Sequence, residues 1–344
     1  MTPDLRLQRI IRWVRVHQTW LSAATALLVL GIAAVALYRI LHDISMADIA
    51  VSLKAITGKQ ILLSLLLSAL SYFVLTGYDV LALNAIGKPQ RYWRAALGSF
   101  TAYTFSHNLG FAPITGAAAR WRAYRGTNLN GPDIARIVVI AGVTFWLGIL
   151  VMLGVFLLVF PGALRVHDMM LPYPVQAAIG GVILLGIGIY LVACSRQTGP
   201  ISILGWTLPI PTVRQAFAQF ALAATDIAIA SAALLVLLPA AAWHHYPDFV
   251  VAYVVAIVVA MITHAPGGLG VFEAVILVTL PEVDKPALVS ALILYRLIYY
   301  WLPLLLAVLL LGINEVRIWR TGLPDEAIVQ DGDRVSGLGR RKTL

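Results

Sequence analysis

Long apolar runs, broken by short polar joints, fill most of this sequence. A helix crosses the hydrocarbon layer of a bilayer with about 20 consecutive apolar residues. Six segments reach that length: about 20–38, 60–84, 134–160, 174–194, 214–238 and 286–312. Two further regions are apolar but interrupted. The first, about 95–112, ends in Ser106-His107-Asn108-Leu109-Gly110. The second, about 249–281, carries His264-Ala265-Pro266-Gly267-Gly268-Leu269-Gly270 in its middle. Gly and Pro clusters break helices. Broken backbone survives at membrane depth only where protein or a water-filled cavity satisfies its N–H and C=O groups. The pattern therefore predicts an all-α, polytopic helical membrane protein: about six full spans plus two re-entrant or broken-helix regions. Residues 1–19 read as a basic interfacial segment, 20–312 as one transmembrane domain, and 313–344 as a polar cytoplasmic tail.

Composition agrees with lipid as the main solvent. Of the 344 residues, 60% are hydrophobic and 12% charged, about half the charged fraction of soluble domains. The formal net charge of +9 would suggest nucleic acid in a soluble chain. Here the basic residues collect in a few joints, such as Arg6 to Arg15, Lys88 to Arg94, Arg120 to Arg125 and Arg334 to Lys342. That bias fits topology better than nucleic-acid binding, and it sets both termini in the cytoplasm. One cysteine, Cys194, excludes an internal disulfide and reads as an inert buried thiol.

With that orientation the two interrupted regions enter from opposite sides, which makes the halves an inverted repeat. Local echoes agree: Tyr78-Asp79-Val80 with Thr225-Asp226-Ile227, His107-x-x-Gly110 with His264-x-x-Gly267, and Arg136 with Arg296. Inverted repeats with broken helices at their interface are a transporter design.

Ionisable groups at membrane depth are expensive, about 2.5–3.5 kcal/mol each on insertion scales, and so mark function or pairing. Asp226 lies mid-span. Asp79 lies nearer a helix end, where it could simply reach water. Arg296 demands a partner, with Asp226, Glu273 or a lipid phosphate as the choices. Gly267, Gly268 and Gly270 could bring backbone N–H groups to an anion at the start of a helix near Val271. Glu273, in the first turn of that helix, serves as a cap or as a site for a cation or proton. His107, Asn108 and His264 sit at the breaks. Arg120, Arg122 and Arg125 either hold anionic head groups or set topology. No hydrolase, metalloprotease, Walker or dinucleotide motif stands in a suitable context. Neither a metal nor a cofactor is implied, and the adjacent His244 and His245 are poorly placed for zinc.

The chain resembles the lysylphosphatidylglycerol synthase transmembrane-region (YbhN-like) family. The resemblance rests on Tyr78-Asp79-Val80-Leu81-Ala82-Leu83 with Gly87-Lys88-Pro89, the stretch from His107 to Tyr124 with Gly116 and Arg120, and Asp226. It also rests on Pro266-Gly267-Gly268-Leu269-Gly270-Val271-Phe272-Glu273 and on Tyr295-Arg296-Leu297-Ile298-Tyr299-Tyr300-Trp301-Leu302-Pro303. It spans roughly residues 20–315. The same region forms the flippase half of the bacterial multiple peptide resistance factor. The resemblance implies a bacterial or archaeal cytoplasmic-membrane protein, with fused relatives that move aminoacylated phosphatidylglycerol between leaflets. It also implies no aminoacyl-lipid synthesis by this chain, which lacks the large soluble synthase domain of those relatives.

The leading expectation is thus a lipid translocase. Its polar pocket would form from Asp79, His107, Asn108, Arg120, Asp226, His264, Gly267, Gly268, Gly270, Glu273 and Arg296. Two other classes stay open: a membrane-embedded enzyme on a lipid head group, with His264 and Glu273 as acid and base, and an accessory subunit of a separate lipid synthase. The partners implied are phospholipid head groups, a second copy of the chain, or that separate enzyme, but not nucleic acid.

Overall fold

The computed structural model describes residues 44–160, 172–196, 206–263, 265–281 and 283–321, short stretches at 165–166, 169–170 and 201–203, and scattered positions between 31 and 42. The basic segment 1–19, the span expected at 20–38, His264 and residues 322–344 lie outside the described residues.

Eleven α-helices follow one another among the described residues. They are α1 (Met46–Ala55), α2 (Gly58–Ala85), α3 (Tyr92–Leu109), α4 (Ala112–Ala123), α5 (Gly131–Val159), α6 (Tyr173–Arg196), α7 (Val213–Leu235), α8 (Tyr246–Thr263), α9 (Val271–Thr279), α10 (Lys285–Tyr295) and α11 (Leu302–Thr321). A six-residue π-helical segment, Arg296–Trp301, joins α10 to α11. Two antiparallel strand pairs, β1 (Arg165–Val166) with β2 (Met169–Met170) and β3 (Ile201–Ile203) with β4 (Trp206–Leu208), sit in the joints on either side of α6.

Local chemistry sets the helix starts. Thr57 with Gln60, Asn130 with Asp133 and Thr212 with Gln215 form capping boxes, in which each side chain bonds the other's backbone N–H. Among the described residues, six helical stretches are long and apolar enough to cross a membrane, the last running continuously over Lys285–Ile318. Helix α11 itself continues to Thr321.

The core is apolar, but so is much of the outer surface. Leu62, Leu66, Leu70 and Phe73 on α2 face outward, as do Val182, Leu185 and Ile189 on α6, while Ser64, Ser68 and Ser71 are buried. The buried serines recur every three or four residues, and Ser64 and Ser71 lie on the seam between α2 and α7. Small polar residues allow such close approach and bond across it. The two helices run antiparallel: Gln60 Nε2 donates to Val236 O at 3.0 Å, Ser64 Oγ to Ala233 O at 2.7 Å, and Ser71 Oγ to Asp226 Oδ1 at 2.6 Å.

The halves repeat around this seam. Helix α3 folds back through α4 into a hairpin, and α8 folds back through α9 into a second. Helix α6 packs on α5 as α1 packs on α10, and α5 meets α8 as α11 meets α3. Helices α2 and α7 run in opposite directions, as the inverted arrangement expected from the sequence requires.

Candidate functional site

The two hairpin tips meet. In the first, Gly110 (φ 72°) and Phe111 (φ 46°) make the reversal between α3 and α4. In the second, Gly267, Gly268 and Gly270 all have positive φ, at 62°, 62° and 78°, a region that costs glycine almost nothing. A Cβ on Gly267 would lie 3.1 Å from the Asn108 carbonyl oxygen and 3.3 Å from that of His107. Glycine therefore answers both the turn and the contact between tips.

This geometry corrects one expectation in part. Three N–H groups of the glycine run are bonded within the tip. Gly268 N donates to Ala265 O at 2.8 Å, Leu269 N to Pro266 O at 3.2 Å, and Gly270 N to Glu273 Oε2 at 2.8 Å. Glu273 is thus the cap of α9, and it has a second role. Its Oε1 accepts from Arg296 Nε at 2.6 Å, with Arg296 Nη2 also at 2.6 Å. Arg296 Nη1 donates to the Gly267 carbonyl, and the guanidinium lies 4.4 Å from the Tyr300 ring centroid. Arg296 accordingly fastens α10 to the second hairpin. Of its expected partners, Glu273 is the one it meets, and Asp226 is not.

Asp79 is also corrected. It does not reach water. It is fully buried, and Arg120 grips it through Nε at 3.1 and 3.0 Å and Nη2 at 2.7 Å. Tyr124 Oη donates to the same carboxylate at 2.7 Å. Tyr124 reaches it by lying over Gly98, where any Cβ would collide with its ring. Arg120 therefore serves α4 as Arg296 serves α10: each ties a hairpin to the bundle. Arg125 pairs with Glu315 at 3.2 Å and Arg122 is exposed. Arg136, the proposed counterpart of Arg296, instead sits 3.5 Å from Asp133 at the start of α5.

Asp226 differs from the other buried acids. Among the described residues it has hydroxyl partners and no basic one: Ser71 Oγ at 2.6 Å and Tyr78 Oη at 3.4 Å. Ser71 Oγ also meets Tyr299 Oη at 2.9 Å. Asp226 lines a cavity of ≈ 500 Å³ bounded by both hairpins, α5, α7 and the π segment. His107, Arg120, Gly267, Gly268, Tyr299 and Tyr300 share the lining. Asn108 stands at its edge, donating from Nδ2 to Tyr300 O at 3.1 Å. The His107 ring is stacked 6.2 Å from that of Tyr299, and its Nδ1 is buried without a hydrogen-bond partner. The cavity thus combines aromatic walls, one guanidinium, Arg120, already neutralised by Asp79, and one carboxylate, Asp226, with no basic partner among the described residues. No group of three or more metal-ligating side chains forms among the described residues.

Sequence reasoning missed the hydroxyls. Ser71, Tyr72, Tyr78, Tyr103 and Tyr253 carry much of the polar lining or its supports, and their signal is weak because each also reads as ordinary packing. The recoverable trace was the spacing of Ser64, Ser68 and Ser71 on one face of a span.

Comparison with known proteins follows the same boundaries. The family described as "Lysylphosphatidylglycerol synthase TM region" matches residues 26–307. The chain is 34% identical to the Synechocystis protein slr0712 over 80% of this chain and 86% of that one. It is 28% identical to the inner membrane protein YbhN of Escherichia coli over 76% of this chain and 82% of that one. It is 25% identical to a phosphatidylglycerol lysyltransferase of Staphylococcus xylosus over 85% of this chain, but over 34% of that longer protein. With the match extending through both hairpins and the Arg296 segment, this chain belongs to the lysylphosphatidylglycerol synthase transmembrane-region family.

Proposed function

We propose that this chain is a lipid translocase that carries a phospholipid head group between leaflets of a bacterial or archaeal cytoplasmic membrane. One observation carries the reading. Two broken hairpins of an inverted repeat touch at Gly267 and His107, beside a cavity that holds a carboxylate, Asp226, with no basic partner among the described residues. A polar chamber between mirrored halves lets a head group cross while its acyl chains stay in lipid, and rocking of one half against the other would expose the chamber to each side in turn. The Staphylococcus xylosus relative is named for lysyl transfer to phosphatidylglycerol, which supports a phospholipid as cargo. The bias of basic residues supports cytoplasmic termini.

The test is reconstitution into vesicles that carry labelled phosphatidylglycerol, its aminoacylated form or phosphatidylethanolamine in one leaflet. Movement of at least one of these above the empty-vesicle rate is expected, with loss in Asp226→Asn. Equal rates with and without protein for all three would sink the proposal, as would a chemically altered head group, which would make the chain an enzyme.

A further inference from the structure

A proline sits where the last span needs a donor. In continuous α-helix the carbonyl of Tyr299 would accept from the N–H of residue 303, and residue 303 is Pro303. Proline has no N–H, and an orphaned buried carbonyl is costly. The chain locally widens at this point. The Leu302 N–H bonds five residues back, to the Leu297 carbonyl, and residues 296–301 form the π segment. Such wide turns gather at functional sites and at kinks.

The missing donor comes from another helix. Tyr72, on α2, directs its hydroxyl to the Tyr299 carbonyl at 3.0 Å. The next carbonyl, that of Tyr300, receives Asn108 Nδ2 from the tip of the first hairpin. The widened turn also brings both Tyr299 and Tyr300 against Tyr295, with ring centroids 5.0 and 6.0 Å away.

The bond lies in a wall. On one side is the cavity lined by Asp226, Tyr299 and Tyr300. On the other is an apolar groove of ≈ 740 Å³ among α2, α3 and α11, lined by Tyr72, Phe100 and Ile298 among others. The wall between is a cluster of three rings: Tyr72 lies 5.3 Å from Tyr299 and 6.4 Å from His107.

We infer that Tyr72 is a positioning residue: its hydroxyl replaces the N–H that Pro303 lacks, latching the π segment in the register that keeps the wall closed between cavity and groove. The inference rests on the translocase reading only for its role in lipid movement. The latch itself is independent of transport. Release of the bond frees the Tyr299 carbonyl, and the rings separate as the segment shifts register, joining cavity and groove into one passage.

A double-mutant cycle tests this, read by hydrogen exchange of the backbone amides of residues 299–306 in the full chain in detergent or nanodiscs. Tyr72→Phe keeps the ring and deletes the bond, so exchange should rise about three- to tenfold, the range expected for one buried hydrogen bond. In a Pro303→Ala background the backbone supplies its own donor, and Tyr72→Phe should then change exchange little. Equal effects in both backgrounds, or none in either, would overturn the latch. In the vesicle assay, Tyr72→Phe should move lipid faster than the parent chain. An unchanged or slower rate with the exchange cycle as expected would overturn the gating role. Failure of the parent chain to move lipid, with the cycle intact, would overturn the translocase reading and leave the latch standing.

Discussion

Arg120 closes on Asp79 with two nitrogens, Nε and Nη2, and both side chains are buried. The pair binds α4 to α2 and so fixes one limb of the first hairpin. Breaking a buried pair leaves one charge stranded, which costs about 3–5 kcal/mol, whereas replacing both partners with apolar groups is often neutral. Arg120→Met and Asp79→Leu should each lower thermal stability in detergent sharply, and the double substitution should be more stable than either single. Additive losses in the double variant would show that the pair is not the source of the effect.

The seam between α5 and α7 turns on Gly148. A Cβ there would run into the Cβ and backbone of Ala223, three residues before Asp226, whereas a Cβ on Gly142, in the same helix, meets nothing within 4 Å. Gly148→Ala should therefore destabilise by about 1–3 kcal/mol through overpacking. Gly142→Ala should be neutral or slightly stabilising, as expected from helix propensity. Melting temperatures of the two variants, measured side by side, check the contrast. Equal shifts would mean the helices are not in this register.

Arg296 needs its planar fork, since it serves the Glu273 carboxylate and the Gly267 carbonyl at once. Lysine retains the charge but lacks the geometry. Arg296→Lys should leave the chain folded yet loosen the second hairpin, seen as faster proteolysis or hydrogen exchange around residues 265–270. Exchange there at the parent rate would show that charge alone suffices.

Much of the fold was legible beforehand because membrane segments announce themselves by length and hydropathy. The spans at Gly58–Ala85, Gly131–Val159, Tyr173–Arg196 and Val213–Leu235 fall close to where the apolar runs placed them. Both breaks are visible in the sequence, since the glycines at 110, 267, 268 and 270 interrupt the apolar runs. Pairings were less legible. Asp79 looked able to reach water because its distance from the helix end is a one-dimensional measure, while its burial depends on α4 folding back over it. Glu273 was a cap or a binding group on local grounds, and it proved to cap α9 and to hold Arg296 as well.

The solvent of this protein and the positions where its helices break were written in the sequence, because these follow from periodicity, chain chemistry and the cost of unsatisfied backbone in lipid. Only the tertiary structure decided which acid meets which base, that the N–H groups of Gly268 and Gly270 are bonded within the tip, and that Asp226 faces a cavity with hydroxyls as its company. The reason is that a partner across a helix seam is chosen by packing angle and register, and neither quantity is written in the spacing of residues along one strand of chain.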